Sequence, residues 1–191
     1  MNKKLGCALS GGAVLVLALS GCSSDDGNKK IDDWAKKVCD QVQPQLNKIQ
    51  GANASIQKAT ADNSKPEDVK TTDSKAFQQI SDAYAALGDA VEKAGAPPVD
   101  GGAKTQKEAV KELDATSKSY EDLKKTVDGL DTKDQAKFAD GLKGVADKLD
   151  TLSKSGDKAL NKLQSGDVGK AMAKQSGCQK ASPSASASKK A

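Results

Sequence analysis

Cysteine, carboxylate and lysine are the side chains with which this chain could do chemistry. Its 191 residues include four Cys (Cys7, Cys22, Cys39 and Cys178), 30 Lys and 26 Asp plus Glu, with no His and no Arg. The missing types exclude much. Without imidazole there is no His-based triad and no His metal ligand; without guanidinium there is no bidentate clamp on phosphate and no Arg finger. Acids lie side by side at Asp25-Asp26, Asp32-Asp33, Glu67-Asp68 and Glu121-Asp122. General-acid work needs one such carboxyl in an apolar pocket that raises its pKa. All four pairs fall instead on polar faces or at helix starts, where capping and solvation account for them. A carboxylate di-iron bundle needs Glu-x-x-His twice. Residues 129–134 hold too few acids for a calcium loop and lack its closing Glu. Gly141 and Gly144 have neither the preceding strand nor the Gly-Lys-Ser/Thr ending of a phosphate loop, and close helix packing is the plainer use for them. The inventory points to no catalytic residues, no cofactor, no metal and no enzyme. A hydrolase would have to work with carboxylates alone.

Cys22 stands in a more specific setting. Lys3 and Lys4 precede an apolar run that includes residues 12–19, and the run ends in Leu19-Ser20-Gly21-Cys22. A basic start followed by an apolar stretch too short to span a bilayer is the pattern of an export signal. The ending resembles the lipobox of bacterial lipoproteins. The resemblance implies that the Cys22 thiol takes a diacylglyceryl group, that cleavage before Cys22 follows, and that the small residues Ser20 and Gly21 admit an extended backbone to the peptidase. Residues 1–21 are then the lipoprotein signal peptide. Residues 22–30 are the lipidated Cys and a polar tether, and acyl chains such as palmitate hold the protein to the membrane; two or more chains anchor stably where one does not. Residues 181–191, rich in Ala, Ser and Lys, read as a disordered tail.

The other cysteines follow by subtraction. Cys7 leaves with the leader and Cys22 carries lipid, so Cys39 and Cys178 remain in an oxidising compartment. No Cys-x-x-Cys spacing and no His accompany them, so a structural disulfide is favoured over a redox or metal pair. Trp34, the single Trp, sits about one turn before Cys39. It reads either as a packing residue against the disulfide or as an exposed surface platform for a ligand.

What must position these residues is helical. Ile31, Trp34, Val38, Val42, Leu46, Ile49 and Ile56 recur on one helix face, with Pro44 expected to kink it. A second stripe runs Val69, Ala76, Phe77, Ile80, Ala83, Tyr84, Leu87, Ala90, Val91. Ser64 is its expected N-cap, Pro66 lies in its first turn, and Gly95 stops it. A third follows Gly102, from Val110 to Leu130. A fourth, capped by Asp131 or Thr132, runs from Phe138 to Leu163 and ends at Gly166, before a short helix near residues 168–175. No alternating strand pattern competes. The expected fold is all-α: an elongated antiparallel four-helix bundle over residues 31–180 with a short extra C-terminal helix. An even number of long helices returns the chain to its starting end, where Cys178 can meet Cys39.

Charge narrows the partners. Setting aside the two leader lysines, 28 Lys face 26 acids, interleaved along the chain, so no basic stripe for nucleic acid is present. The layout resembles that of small secreted lipoproteins of actinomycetes: the residues 19–22 motif, the stretch Trp34-Ala35-Lys36-Lys37-Val38-Cys39 with Pro44 after it, the late Cys178 and the Ala/Ser tail. That resemblance implies location and architecture, and no activity. The expected protein is an exported, non-enzymatic binding or scaffolding module. Lipid anchors it to the outer face of the cytoplasmic membrane, within reach of a protein partner at the cell envelope. The alternative is an accessory subunit docking on an exported enzyme or transporter. An exposed apolar groove would favour docking, a uniformly polar surface would favour a scaffold, and a buried carboxylate pair in a cleft would favour an enzyme.

Overall fold

The computed structural model describes residues 24–61, 64–155 and 158–179. Among them every regular element is a helix: α1 (Ser24–Ala61), α2 (Pro66–Ala94), α3 (Gly102–Asp128), α4 (Gln135–Ser155), α5 (Lys158–Leu163), α6 (Gly166–Lys174) and α7 (Ser176–Gln179). The chain is all-α. The leader, Cys22 and the C-terminal tail lie outside the described residues.

Helix α1 starts at Ser24, so residues 24–30, expected as a tether, belong to the helix. It also runs through Pro44 as one element. Pro44 is exposed; it donates no N–H to the helix, and its ring crowds the carbonyl four residues before it. At the start of α2 the cap is Lys65, not Ser64, with Pro66 at the first helical position. The Lys65 carbonyl accepts the N–H groups of Asp68 at 3.0 Å and Val69 at 3.1 Å, while Glu67 and Asp68 face the positive end of the helix dipole. Gly95 ends α2 with φ of +80°, a conformation that side chains with a Cβ rarely adopt. The Gln106 side-chain amide donates to the carbonyls of Val91 and Glu92, both at 3.2 Å, and so satisfies two of the last acceptors of α2. Helix α4 opens later than expected. Asp134 caps it, its carboxylate accepting the Lys137 N–H at 3.1 Å, whereas Asp131 accepts the Lys133 N–H within the preceding turn.

Two apolar clusters organise the packing. One joins Ile31, Trp34, Val38 and Cys39 of α1 to Leu87 and Val91 of α2, Ala109 and Leu113 of α3, Leu163 of α5, and Val168, Ala171 and Met172 of α6. The other joins Ala52 of α1 to Ala76, Phe77 and Ile80 of α2, Leu123 and Val127 of α3, and Val145 of α4. The first half of α1 therefore shares a cluster with the second half of α2 and the first half of α3, so these three helices alternate in direction. Between the clusters Tyr84 stacks on Tyr120, ring centroids 5.6 Å apart, and Phe77 meets Tyr120 at 6.1 Å. Burial and the neighbouring Tyr84 push the Tyr120 hydroxyl up to about 12.

The expected fourth helix is described as two elements. Helix α4 is described to Ser155 and α5 from Lys158, and residues 156 and 157 between them lie outside the described residues. Nor do four equal stripes meet on one seam. Most of the packing is α1 on α2 and α2 on α3, with α4 and α5 laid more lightly on α3 and α6 and α7 folded back on α1. The expected close-packing use of the glycines holds for one of them: Gly141 lies against Leu130, whereas Gly144 faces open space.

Candidate functional site

The cysteine pair sits where the C-terminal hook α6–α7 returns to α1. Cys39 and Cys178 are disulfide-bonded, 139 residues apart in sequence, with Cα atoms 5.1 Å apart. Cys39 is fully buried, in a cluster with Trp34, Ala35, Val38 and Met172. Its sulfur lies 3.9 Å from the Met172 carbonyl oxygen; having no proton to donate, it packs there without a hydrogen bond. Gly177 allows the close approach. A Cβ at this position would collide with the Cys39 carbonyl group, so α7 can lie on the α1 backbone only because residue 177 has no side chain. Lys174 adds an exposed ion pair to Asp32 across the junction, 3.4 Å long, worth at most about 1 kcal/mol.

Trp34 belongs to the same junction and is a packing residue. It is 4% exposed, which leaves no ring face for a surface platform. Its indole N–H donates to the Gly95 carbonyl at 2.7 Å, tying α1 to the turn that ends α2. Trp34→Phe keeps most of the ring volume and removes that donor. The carbonyl it leaves behind should cost about 1–3 kcal/mol, read as a lower urea midpoint followed by circular dichroism. A change below about 0.5 kcal/mol, the usual effect at an exposed position, would contradict this role.

Three grooves mark the surface of the described residues. One of about 450 Å³ runs along α2 and the end of α3, lined by Glu67, Lys70, Thr71, Ser74, Asp128 and Thr132 among others. Lys70 reaches across to donate to the Leu130 carbonyl at 2.9 Å. A second, of about 540 Å³ between α3 and α4, has Leu123 and Leu152 below Ser119, Asp122, Asp147 and Lys148. A third, of about 380 Å³, lies between Glu92 and Gln106, Val110 and Asp114. Opposite charges mix in each. Among the described residues no group of three His, Cys, Asp or Glu side chains could hold a metal ion, and no helix is long and apolar enough to cross a membrane.

Asp73 departs from the sequence expectation that charged residues occupy outer faces. It is 3% exposed, and its Oδ1 has no hydrogen-bond partner. Burial raises its pKa to about 6, since the carboxylate loses hydration on entering the core. The signal was in the spacing. Position 73 lies four residues after Val69 and four before Phe77, on the core stripe itself. The buried polar or charged residues among those described are Asp73 and Ser81, and the Ser81 hydroxyl is 3.1 Å from that of Ser117. No second buried carboxylate stands with Asp73 to form the pair that an acid–base site requires. The expected lipidation residue, Cys22, lies outside the described residues. Comparison with known proteins places the chain in no group: no family model, no curated protein and no solved structure matches it.

Proposed function

We propose that the chain is an exported lipoprotein, anchored through Cys22 to the outer face of the cytoplasmic membrane, and that it acts there as a non-enzymatic binding or scaffolding module. The observation that carries this reading is Leu19-Ser20-Gly21-Cys22 directly after a lysine pair and an apolar run. The Cys39–Cys178 bond supports it, because disulfides persist in exported compartments and are rare in the cytosol. The interleaved Lys and Asp along the chain support a scaffold; the alternative is an accessory subunit docking on an exported enzyme or transporter, for which the groove over Leu123 and Leu152 is the candidate face.

In this reading the domain is an up-and-down arrangement of four helical legs, α1, α2, α3 and α4 with α5. The hook α6–α7 closes the end nearest the lipid. Helix α1 includes Ser24, two residues after Cys22 in sequence. Cys39 lies fifteen positions after Ser24 in α1, which at about 1.5 Å per residue places the disulfide roughly 22 Å along the helix from Ser24.

Cys22→Ala tests the anchor. The variant should remain uncleaved or be released from cells, and it should leave the detergent phase on temperature-induced partitioning. Mass measurement of the parent's N-terminal peptide should show Cys22 as the first residue, carrying diacylglycerol. A Cys22→Ala protein that still matures and partitions like the parent would overturn the reading.

A further inference from the structure

The two cysteines of the disulfide are unequally buried. Cys39 is fully buried within α1 and enclosed by Trp34, Ala35, Val38 and Met172. Cys178 is half-buried at the edge of that cluster, in a four-residue helix. A thiolate displaces a disulfide sulfur in line, approaching opposite the leaving sulfur, and the sulfur it attacks is decided largely by access. Attack on Cys178 comes from the side away from α1. Attack on Cys39 would have to come through the core.

We propose that Cys178 is the exchange site of this protein: thiolate nucleophiles bond to its sulfur and expel Cys39. The incoming thiolate forms a bond to Cys178 Sγ as the Cys178–Cys39 bond breaks, and the electron pair leaves with Cys39. Its thiolate takes up one proton, or attacks Cys178 Sγ in return and expels the nucleophile. The adduct keeps the oxidation level of the original disulfide. Full reduction needs a second thiolate, which attacks the nucleophile's sulfur in the adduct and releases Cys178.

Two features make the departure of Cys178 local. The backbone N–H groups of Cys178 and Gln179 both bond to the Gln175 carbonyl, at 3.0 Å each, so the last turn is held within the hook. Where this turn meets α1, Gly177 lies bare against the Cys39 carbonyl. Cys39 meanwhile stays fixed in its helix as the thiol that restores the bond. A thiol–disulfide oxidoreductase of the export compartment would thus be joined to this chain through Cys178. The inference needs only the folded domain and holds whether or not Cys22 carries lipid.

The probe is glutathione. The purified exported protein is treated with it under native conditions and quenched in acid. Free thiols are then blocked with N-ethylmaleimide, and cleavage after lysine yields residues 38–48 with Cys39 and residues 175–180 with Cys178. Glutathione should be found on Cys178 and N-ethylmaleimide on Cys39, with Cys178 adducts in at least about tenfold excess, because access selects the sulfur. In concentrated urea the excess should fall to near parity. Equal adducts in the native protein, an excess on Cys39, or adducts formed only in urea would each overturn the proposal.

Discussion

Reduction of the Cys39–Cys178 bond, or its removal by Cys178→Ala, is expected to lower the melting temperature by up to about 10–20 °C. The bond spans 139 residues, and the chain-entropy model gives roughly 5 kcal/mol for a loop of that length, an upper figure. A domain of this size shifts by about 2–4 °C per kcal/mol. The loss should begin locally. Helices α6 and α7 are too short to persist unpacked, and they are held by Val168, Ala171 and Met172 in the first cluster and by the bond itself. The contacts of α1 with α2 and of α2 with α3 do not depend on the hook. Far-ultraviolet circular dichroism should therefore keep most of its helical signal after reduction, while amide exchange quickens first in residues 166–179. Uniform loss of protection across all helices would show that the hook is not a separable unit. An unchanged melting temperature would show that packing alone holds α6 on α1.

The hook was legible before the structure because two independent constraints agreed. Cysteine bookkeeping paired Cys39 with Cys178, and helix counting returned the chain to the end where Cys39 lies. The apolar stripes were equally plain, since Val38, Phe77, Ile80 and Val127 all fall on them and all are buried to within 1%. Helix starts were less legible. Ser64 and Asp131 are good cap residues by type, yet Lys65 and Asp134 hold the cap positions. Several cap-forming side chains crowd each turn, and tertiary packing chooses the register among them. Asp73 was missed for a simpler reason. A stripe assembled from apolar residues alone skips the polar residue that occupies one of its positions, although a period of 3.6 assigns that position to the core whatever stands there.

Asp73→Asn is expected to make the protein more stable at pH 7 and to remove a pH dependence that the parent should show. The folded-state pKa of Asp73 is raised from 3.8 to about 6. Between those values the folded protein holds a proton that the unfolded chain has released. The unfolded state binds fewer protons there, so the stability of the parent falls as pH rises from about 4 to about 6 and then levels off. Two pH units amount to about 3 kcal/mol. Three exposed or nearly exposed acids act in the opposite sense and at lower pH. Hydrogen bonds from Lys162 to Glu108, from Lys124 to Asp128, and from the Lys137 backbone N–H to Asp134 hold these carboxyls below their ordinary values. Their contribution is present above the unfolded pKa and is lost as pH falls through the folded one, which carries the stability maximum to about pH 4–5. Asn keeps the shape of the protonated acid and cannot ionise. Urea denaturation at pH 4 should therefore find parent and variant about equal, and at pH 7 the variant should be ahead by up to about 3 kcal/mol. A parent whose stability is flat or rising from pH 4 to 7, or a variant no more stable at pH 7, would mean that ionised Asp73 is compensated in the folded protein.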